Sequence, residues 1–270
     1  MAEQGLETYH GNCHCGAFKF SVRLPELKQV LACNCSICSK KGYLWALPSS
    51  NDLFVVEKGD GTLKDYQFGK KTMSHKFCPN CGTPVMGQRH VEGPSIAVNV
   101  RTFRDFDEEK LEIKPYDGAG LEPHYTPPNG PEESDLNGST KCYRGSCHCG
   151  KVSYDLRSEA LEDIGVLSCN CSICSRNADL WVYPSEKDVE LRGGDHLTVY
   201  RFGRKVGGHA FCSTCGVPIM NQFEHPGGKE LESMVGKLPV NARVIDGIDL
   251  KALKVTKGDG KNMMGPKYEV

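Results

Sequence analysis

Apolar residues along this chain recur mostly with a period of two. Ala17-Phe18-Lys19-Phe20-Ser21-Val22 alternates, and Val152-Ser153-Tyr154-Asp155-Leu156 does the same half a chain later. Successive side chains of a strand point to opposite faces, so this period predicts half-buried strands. Residues 53–56, 63–68 and 95–100 carry the same signature. Gly59-Asp60-Gly61 and Gly193-Gly194-Asp195 read as hairpin turns. A helix-like pattern shows only at 106–111. The expected fold is mainly β, two tandem domains of antiparallel strands, with the cysteine clusters on turns.

The second domain is a copy of the first. Gly11-Asn12-Cys13-His14-Cys15-Gly16 returns as Gly145-Ser146-Cys147-His148-Cys149-Gly150, and Leu44-Trp45 as Leu180-Trp181. Tyr66-Gln67-Phe68-Gly69 matches Tyr200-Arg201-Phe202-Gly203, and His75-Lys76-Phe77-Cys78 matches His209-Ala210-Phe211-Cys212. Late in each copy Val98-Asn99-Val100-Arg101 matches Val240-Asn241-Ala242-Arg243. Residues 118–140, rich in Pro, Gly, Asn and acids, read as an exposed linker. The domains are therefore expected at 1–117 and 141–270.

Charge narrows the picture. With 33 basic and 34 acidic side chains among 270 residues, no overall field draws the protein onto nucleic acid. No run approaches the roughly 18 apolar residues of a membrane span. The N-terminal Met1-Ala2-Glu3-Gln4 lacks a signal-peptide pattern, so a cytoplasmic location, with the nucleus as the other option, is expected.

Fifteen cysteines carry the chemistry. Their C-x-C and C-x2-C spacings are chelate spacings, and they favour metal over disulfides. Cys142 has no counterpart in the first half and is expected to be a free thiol. The other fourteen form two sets of seven: Cys13, Cys15, Cys33, Cys35, Cys38, Cys78 and Cys81, then Cys147, Cys149, Cys169, Cys171, Cys174, Cys212 and Cys215. Closed tetrahedral zinc takes four ligands, so seven thiolates divide into one closed site and one three-ligand site.

Cys78-x2-Cys81-Gly82 and Cys212-x2-Cys215-Gly216 have the form of zinc knuckles, in which glycine lets the backbone turn and aim amides at sulfur. Their natural partners are Cys13/Cys15 and Cys147/Cys149, which would close each domain end to end. Cys33-x-Cys35-x2-Cys38 and Cys169-x-Cys171-x2-Cys174 then hold three thiolates each. Three anionic ligands quench Lewis acidity, so such a zinc suits holding a sulfur compound better than hydrolysing one. Alternatively, His14 or His75, or their copies His148 or His209, supplies a fourth ligand and closes this site too. Trp45 and Trp181 read as core or as a substrate platform. Asn99, Arg101, Asn241 and Arg243 lie on apparent strands, where Arg is either a solvated face or a grip for the carboxylates of an acidic ligand.

Gly-x-Cys-His-Cys-Gly, then Cys-Asn-Cys-Ser-Ile-Cys, then Phe-Cys-x-x-Cys-Gly-x-Pro, found twice, resembles the glutathione-dependent formaldehyde-activating enzyme family, which includes centromere protein V. The resemblance implies a β-tent of antiparallel sheets and two zinc ions per domain, four per chain. It implies structural zinc at Cys13, Cys15, Cys78 and Cys81, with Cys33, Cys35 and Cys38 catalytic. In the second domain Cys147, Cys149, Cys212 and Cys215 are structural, and Cys169, Cys171 and Cys174 catalytic. The implied reaction joins glutathione, as co-substrate, to formaldehyde, a carbon–sulfur lyase in reverse. After the middle cluster the copies differ, Lys40-Lys41-Gly42 against Arg176-Asn177-Ala178, so the second may take another ligand or none.

Two function classes follow. One is a zinc-dependent carbon–sulfur lyase or thiol-adduct synthase acting on a small thiol and an aldehyde, with His75 and His209 as first guesses for acid or base. The other is a non-enzymatic zinc-stabilised module binding protein or chromatin; its only basic clusters are 68–71 and 201–205. The two domains are also expected to pack as an intrachain pseudo-dimer, with Asn99, Arg101, Asn241 and Arg243 lining the cleft.

Overall fold

The structure, a computed structural model, describes residues 5–104, 107–121, 124–127, 140–223, 229–263 and 265–270. The chain divides into two units, Met1–Tyr125 and Thr126–Glu269. Residues 128–139 of the expected linker lie outside the described residues. The first unit runs past residue 117, because the 117–119 segment closes over a cysteine cluster.

Among the described residues, each unit builds a three-stranded and a seven-stranded sheet. In the first unit, Leu6–Asn12, Lys19–Pro25 and Phe54–Lys58 pair antiparallel. Phe20 and Val22 point inward from the middle strand and are fully buried, which is the period-two pattern at work. The larger sheet runs Glu112–Tyr116, Gln29–Cys33, Trp45–Ala46, Ile96–Asn99, Pro84–Arg89, Met73–Phe77, Lys64–Tyr66. The second unit repeats both sheets, with Lys141–Ser146, Ser153–Ser158 and Val189–Arg192 in the smaller one.

The mainly β fold with antiparallel-rich sheets is as expected; two sequence expectations are corrected and one is refined. The Gly59 and Gly193 turns do not make hairpins, because the strands on either side of each belong to different sheets. A Cβ on Gly59 would lie 2.2 Å from the Ala17 carbonyl, so glycine is needed where the chain crosses between sheets. The sheets are not wholly antiparallel: Glu112–Tyr116 runs parallel to Gln29–Cys33, and Val255–Gly258 parallel to Val166–Cys169. The helix expected at 106–111 is, within the described residues, a single 3-10 turn at Glu108–Lys110. Helix forms instead at Ser36–Lys41 and Ser172–Asn177, six residues each, too short for a 3.6 period to show in the sequence. Among the described residues no helix is long and apolar enough to cross a membrane.

Candidate metal centre

Cys13 and Cys15 follow the first strand on a tight turn in which the Gly16 amide, at φ 68, donates to the Cys13 carbonyl. Cys78 and Cys81 lie on the turn after Met73–Phe77, where Gly82 at φ 74 donates to the Cys78 carbonyl. The knuckle glycine thus serves the backbone; amides that reach sulfur include Phe18 N, 3.3 Å from Cys13 Sγ, and Val152 N, 3.3 Å from Cys147 Sγ. Thr83 Oγ1 lies 3.3 Å from Cys81 Sγ and accepts from His14 N, tying the two pairs together.

The sulfurs converge across 63 residues of chain, with Cys13–Cys15 and Cys15–Cys78 both at 3.6 Å. In the second unit Cys147–Cys149 is 3.5 Å and Cys149–Cys212 is 3.6 Å. A zinc tetrahedron with Zn–S of about 2.3 Å has edges of about 3.8 Å, so these spacings fit one cation inside four thiolates. They are far beyond disulfide bonding at about 2.05 Å. None of the fifteen cysteines, Cys142 included, is in a disulfide.

The middle clusters are assembled by the parallel strand. Cys33 ends Gln29–Cys33, Cys35 caps the helix that follows, and Cys38 sits buried inside it; Cys169, Cys171 and Cys174 repeat this. The Cys35 amide donates to Cys33 Sγ at 3.4 Å, and Trp45 Nε1 to Cys38 Sγ at 3.4 Å. Cys171 and Trp181 make the same bonds at 3.4 and 3.3 Å. Both tryptophans are thus core residues that also donate to a thiol. Hydrogen bonds from Cys35, then Cys38, pull the Cys33 thiol down to about 3, and Cys171, then Cys174, pull Cys169 to about 2.

Asn34, inside Cys33-Asn34-Cys35, fixes the neighbouring loop: its Nδ2 donates to Asp117 Oδ1 at 2.9 Å and its Oδ1 accepts from Ala119 N at 2.8 Å. Asn170 does the same with Asp259 and Lys261. This brings Gly118 onto the cluster, where a Cβ would lie 2.4 Å from Cys33 Sγ. Asp117-Gly118 and Asp259-Gly260 were missed in the sequence; an Asp-Gly pair just after the last strand of each copy was the available signal.

The family model of the glutathione-dependent formaldehyde-activating enzyme matches residues 8–117 and again 142–244. The chain belongs to this family, twice over. A Rhodobacter sphaeroides protein of known crystal structure is 27% identical, aligned over 43% of this chain and 98% of its own, with a TM-score of 0.36. Family membership supports glutathione-dependent chemistry of the formaldehyde-activating type, with cysteine metal sites. Gly118 and Gly260 fall outside the matched segments.

The other residues singled out in the sequence sort by what they touch. Asn99 is fully buried: its Oδ1 accepts from Leu44 N and Arg101 N, and its Nδ2 donates to the Pro84 carbonyl. Asn241 does likewise with Leu180, Arg243 and Pro218. Arg101 donates through Nε to the Gly42 carbonyl, and its guanidinium pairs with Glu108 at 2.8 and 2.9 Å. Arg243 Nε donates to the Ala178 carbonyl at 2.6 Å. These four hold the loop after the third cysteine; the carboxylate that Arg101 grips is the protein's own.

His75 is buried among Phe68, Tyr43 and Trp45, with ring centroids 5.8, 5.7 and 6.4 Å away. Burial, then the positive charge of Lys41, lowers its pKa to about 3. Burial lowers His209 to about 4. Among the described residues neither histidine joins all three cysteines of a middle cluster, and His14 and His148 join no group of donors. His209 instead groups with Cys174 and Asp179, a carboxylic acid that burial pushes up to about 8 against the pull of Arg243.

Proposed function

We propose that the chain is a zinc-dependent carbon–sulfur lyase or thiol-adduct synthase, forming or cleaving an S-hydroxymethyl-glutathione-type adduct. Cys33, Cys35 and Cys38, and Cys169, Cys171 and Cys174, are the reacting centres; the four-cysteine clusters are structural zinc sites. One observation carries this reading: four sulfurs close one cluster of each unit, and the other has three. Zinc held by three thiolates supplies a fourth position at which a thiol stays nucleophilic near neutral pH.

The chain's residues tune that position. Amide donors from Cys35 and Cys171 and indole donors from Trp45 and Trp181 spread the negative charge of the sulfurs. Asn34 and Asn170 hold the Asp-Gly loops against the clusters and limit what can approach. In the forward direction the glutathione sulfur bonds to the aldehyde carbon, the C=O π pair moves to oxygen, and that oxygen takes up the proton the thiol gave up. Holding both reactants in one place supplies the rate.

An open cavity of about 310 Å3 lies in the second unit; no cysteine lines it among the described residues, and the proposal does not rest on it. Leu167, Trp181 and Tyr183 form part of its wall and also pack against the core that contains Cys171 and Cys174. Its size lies at the lower end of small-molecule pockets, about 300–1,000 Å3.

Calorimetric titration of glutathione into protein of known zinc content tests the proposal. Saturable binding is expected, lost in a Cys35→Ala, Cys171→Ala variant that still folds. No binding to the zinc-loaded protein, together with salt-dependent DNA binding, would favour the chromatin module instead.

A further inference from the structure

The two units differ around one histidine. In the first unit His75 has Lys41, Tyr43 and Gly87 about it: Lys41 acts on it electrostatically, Tyr43 packs against it, and Gly87 faces it across the strand pair. The matching positions around His209 are Asn177, Asp179 and Asn221. Each change adds a side-chain oxygen. Asn177 Oδ1, Asp179 Oδ2 and Asn221 Oδ1 are buried without a hydrogen-bond partner, and so is His209 Nδ1, as His75 Nδ1 is in the first unit; Asp179 accepts from Asn241 Nδ2 only through its other oxygen.

Several unsatisfied polar atoms buried in one region are costly, at about 1–3 kcal/mol each. They are the expected signature of a group that belongs among them. His209 Nδ1 and Asp179 Oδ2 face each other at 3.8 Å, and together with Cys174 Sγ they lie within 4.8 Å of one another.

Charge points to what the group is. The first unit already keeps a cation here: the Lys41 side chain is fully buried, its Nζ 4.7 Å from the Phe77 ring centre and 5.9 Å from that of Tyr43. In the second unit Asn177 replaces that lysine and Asp179 adds a carboxyl group that can ionise onto a bound cation. The neighbouring Arg176 turns elsewhere, donating to the Ser172 carbonyl and lying over the Tyr268 ring. Arg243 contributes positive potential to Asp179, with its Nε on the Ala178 carbonyl.

We propose that the second unit binds an additional divalent cation of the zinc type through Cys174 Sγ, Asp179 Oδ2 and His209 Nδ1, at the place where the first unit uses the Lys41 ammonium. Sulfur, carboxylate oxygen and imidazole nitrogen together are a borderline-soft donor set, which suits Zn2+. The proposal rests on the reading of Cys169, Cys171 and Cys174 as a metal cluster, since Cys174 would bridge the two cations. It makes the middle cluster of the second unit a two-metal centre and that of the first a one-metal centre with a built-in cation.

Equilibrium dialysis of the full chain against buffered free Zn2+, with metal counted by mass spectrometry, tests this. Five equivalents are expected for the wild type and four for Asp179→Asn and for His209→Gln. The double change Asn177→Lys, Asp179→Tyr copies the first unit and should also give four, which covers the case in which a single variant fails to fold. A wild-type count of four, unchanged by these substitutions, overturns the additional cation and leaves the three-cysteine reading intact. Four falling to three in Asp179→Asn makes Asp179 a ligand of the cluster's own metal and also overturns it. Five equivalents retained in every variant overturns it as well. A count of two, with Cys33→Ala and Cys169→Ala losing nothing, sinks both this proposal and the lyase reading.

Discussion

The indole Nε1 of Trp45 donates to Cys38 Sγ at 3.4 Å, and Trp181 repeats the bond to Cys174 at 3.3 Å. Cys38 and Cys174 are the most deeply buried members of their clusters, where a thiolate has little water to solvate it. A hydrogen bond to a charged group contributes about 1.5–3 kcal/mol. Trp45→Phe keeps most of the volume and removes the donor. Zinc competition with a chelator should show a ten-fold or greater loss of affinity at that three-cysteine cluster, with the four-cysteine cluster unchanged. Equal affinity in the variant would mean that the indole is only packing.

The two cluster types should differ in consequence. Cys13, Cys15, Cys78 and Cys81 join sequence-distant parts of the unit, and structural zinc contributes on the order of 10 kcal/mol. That equals the whole stability of an ordinary domain. Cys81→Ala should therefore unfold the first unit, and Cys215→Ala the second, seen as loss of a cooperative transition by calorimetry. Cys35→Ala should remove activity with a smaller drop in melting temperature. Equal destabilisation by both classes would argue for two structural sites.

Gly118 lies where any side chain would strike Cys33 Sγ. Gly118→Ala should displace the loop that Asn34 holds and lower the metal content of the first unit by one equivalent. The second unit, with its own Gly260 loop, should keep its full content. Metal analysis that finds wild-type content in Gly118→Ala would show that the loop yields freely.

His75 provides a pH signature. Burial lowers its folded pKa to about 3, whereas an unfolded histidine titrates near 6.5. Between those values the unfolded chain binds the extra proton, so stability rises with pH there. The contribution is complete above about pH 6.5 and is lost as pH falls toward 3, at up to about 1.4 kcal/mol per pH unit. Unfolding measured from pH 7 to 5 in saturating zinc should show a shallower slope for His75→Gln than for wild type. Identical slopes would mean that His75 takes up its proton in the folded state.

The repeat, the period-two strands and the close cysteine pairs are written in short stretches of chain, and the sequence alone carried them. Period-two alternation needs only a few residues, and a C-x-C or C-x2-C pair brings two thiols within chelating reach whatever surrounds it. Hairpins were misread at Gly59 and Gly193 because a turn's residues set its bend but not which sheet receives the next strand. The roles of Asn99, Arg101, Asn241 and Arg243 were equally hidden, since burial and hydrogen-bond partners depend on chain segments up to 65 residues away. Gly118 meets Cys33, and Asp259 meets Asn170, only because a parallel strand returns beside the cluster from more than eighty residues along the chain. The exchange of Lys41, Tyr43 and Gly87 for Asn177, Asp179 and Asn221 is scattered in sequence, and only the pairing of the Gly207–Cys212 strand with Pro218–Phe223 brings Asn221 to His209. Burial then decides its meaning: on a surface those oxygens would find water, and in the interior they call for a cation.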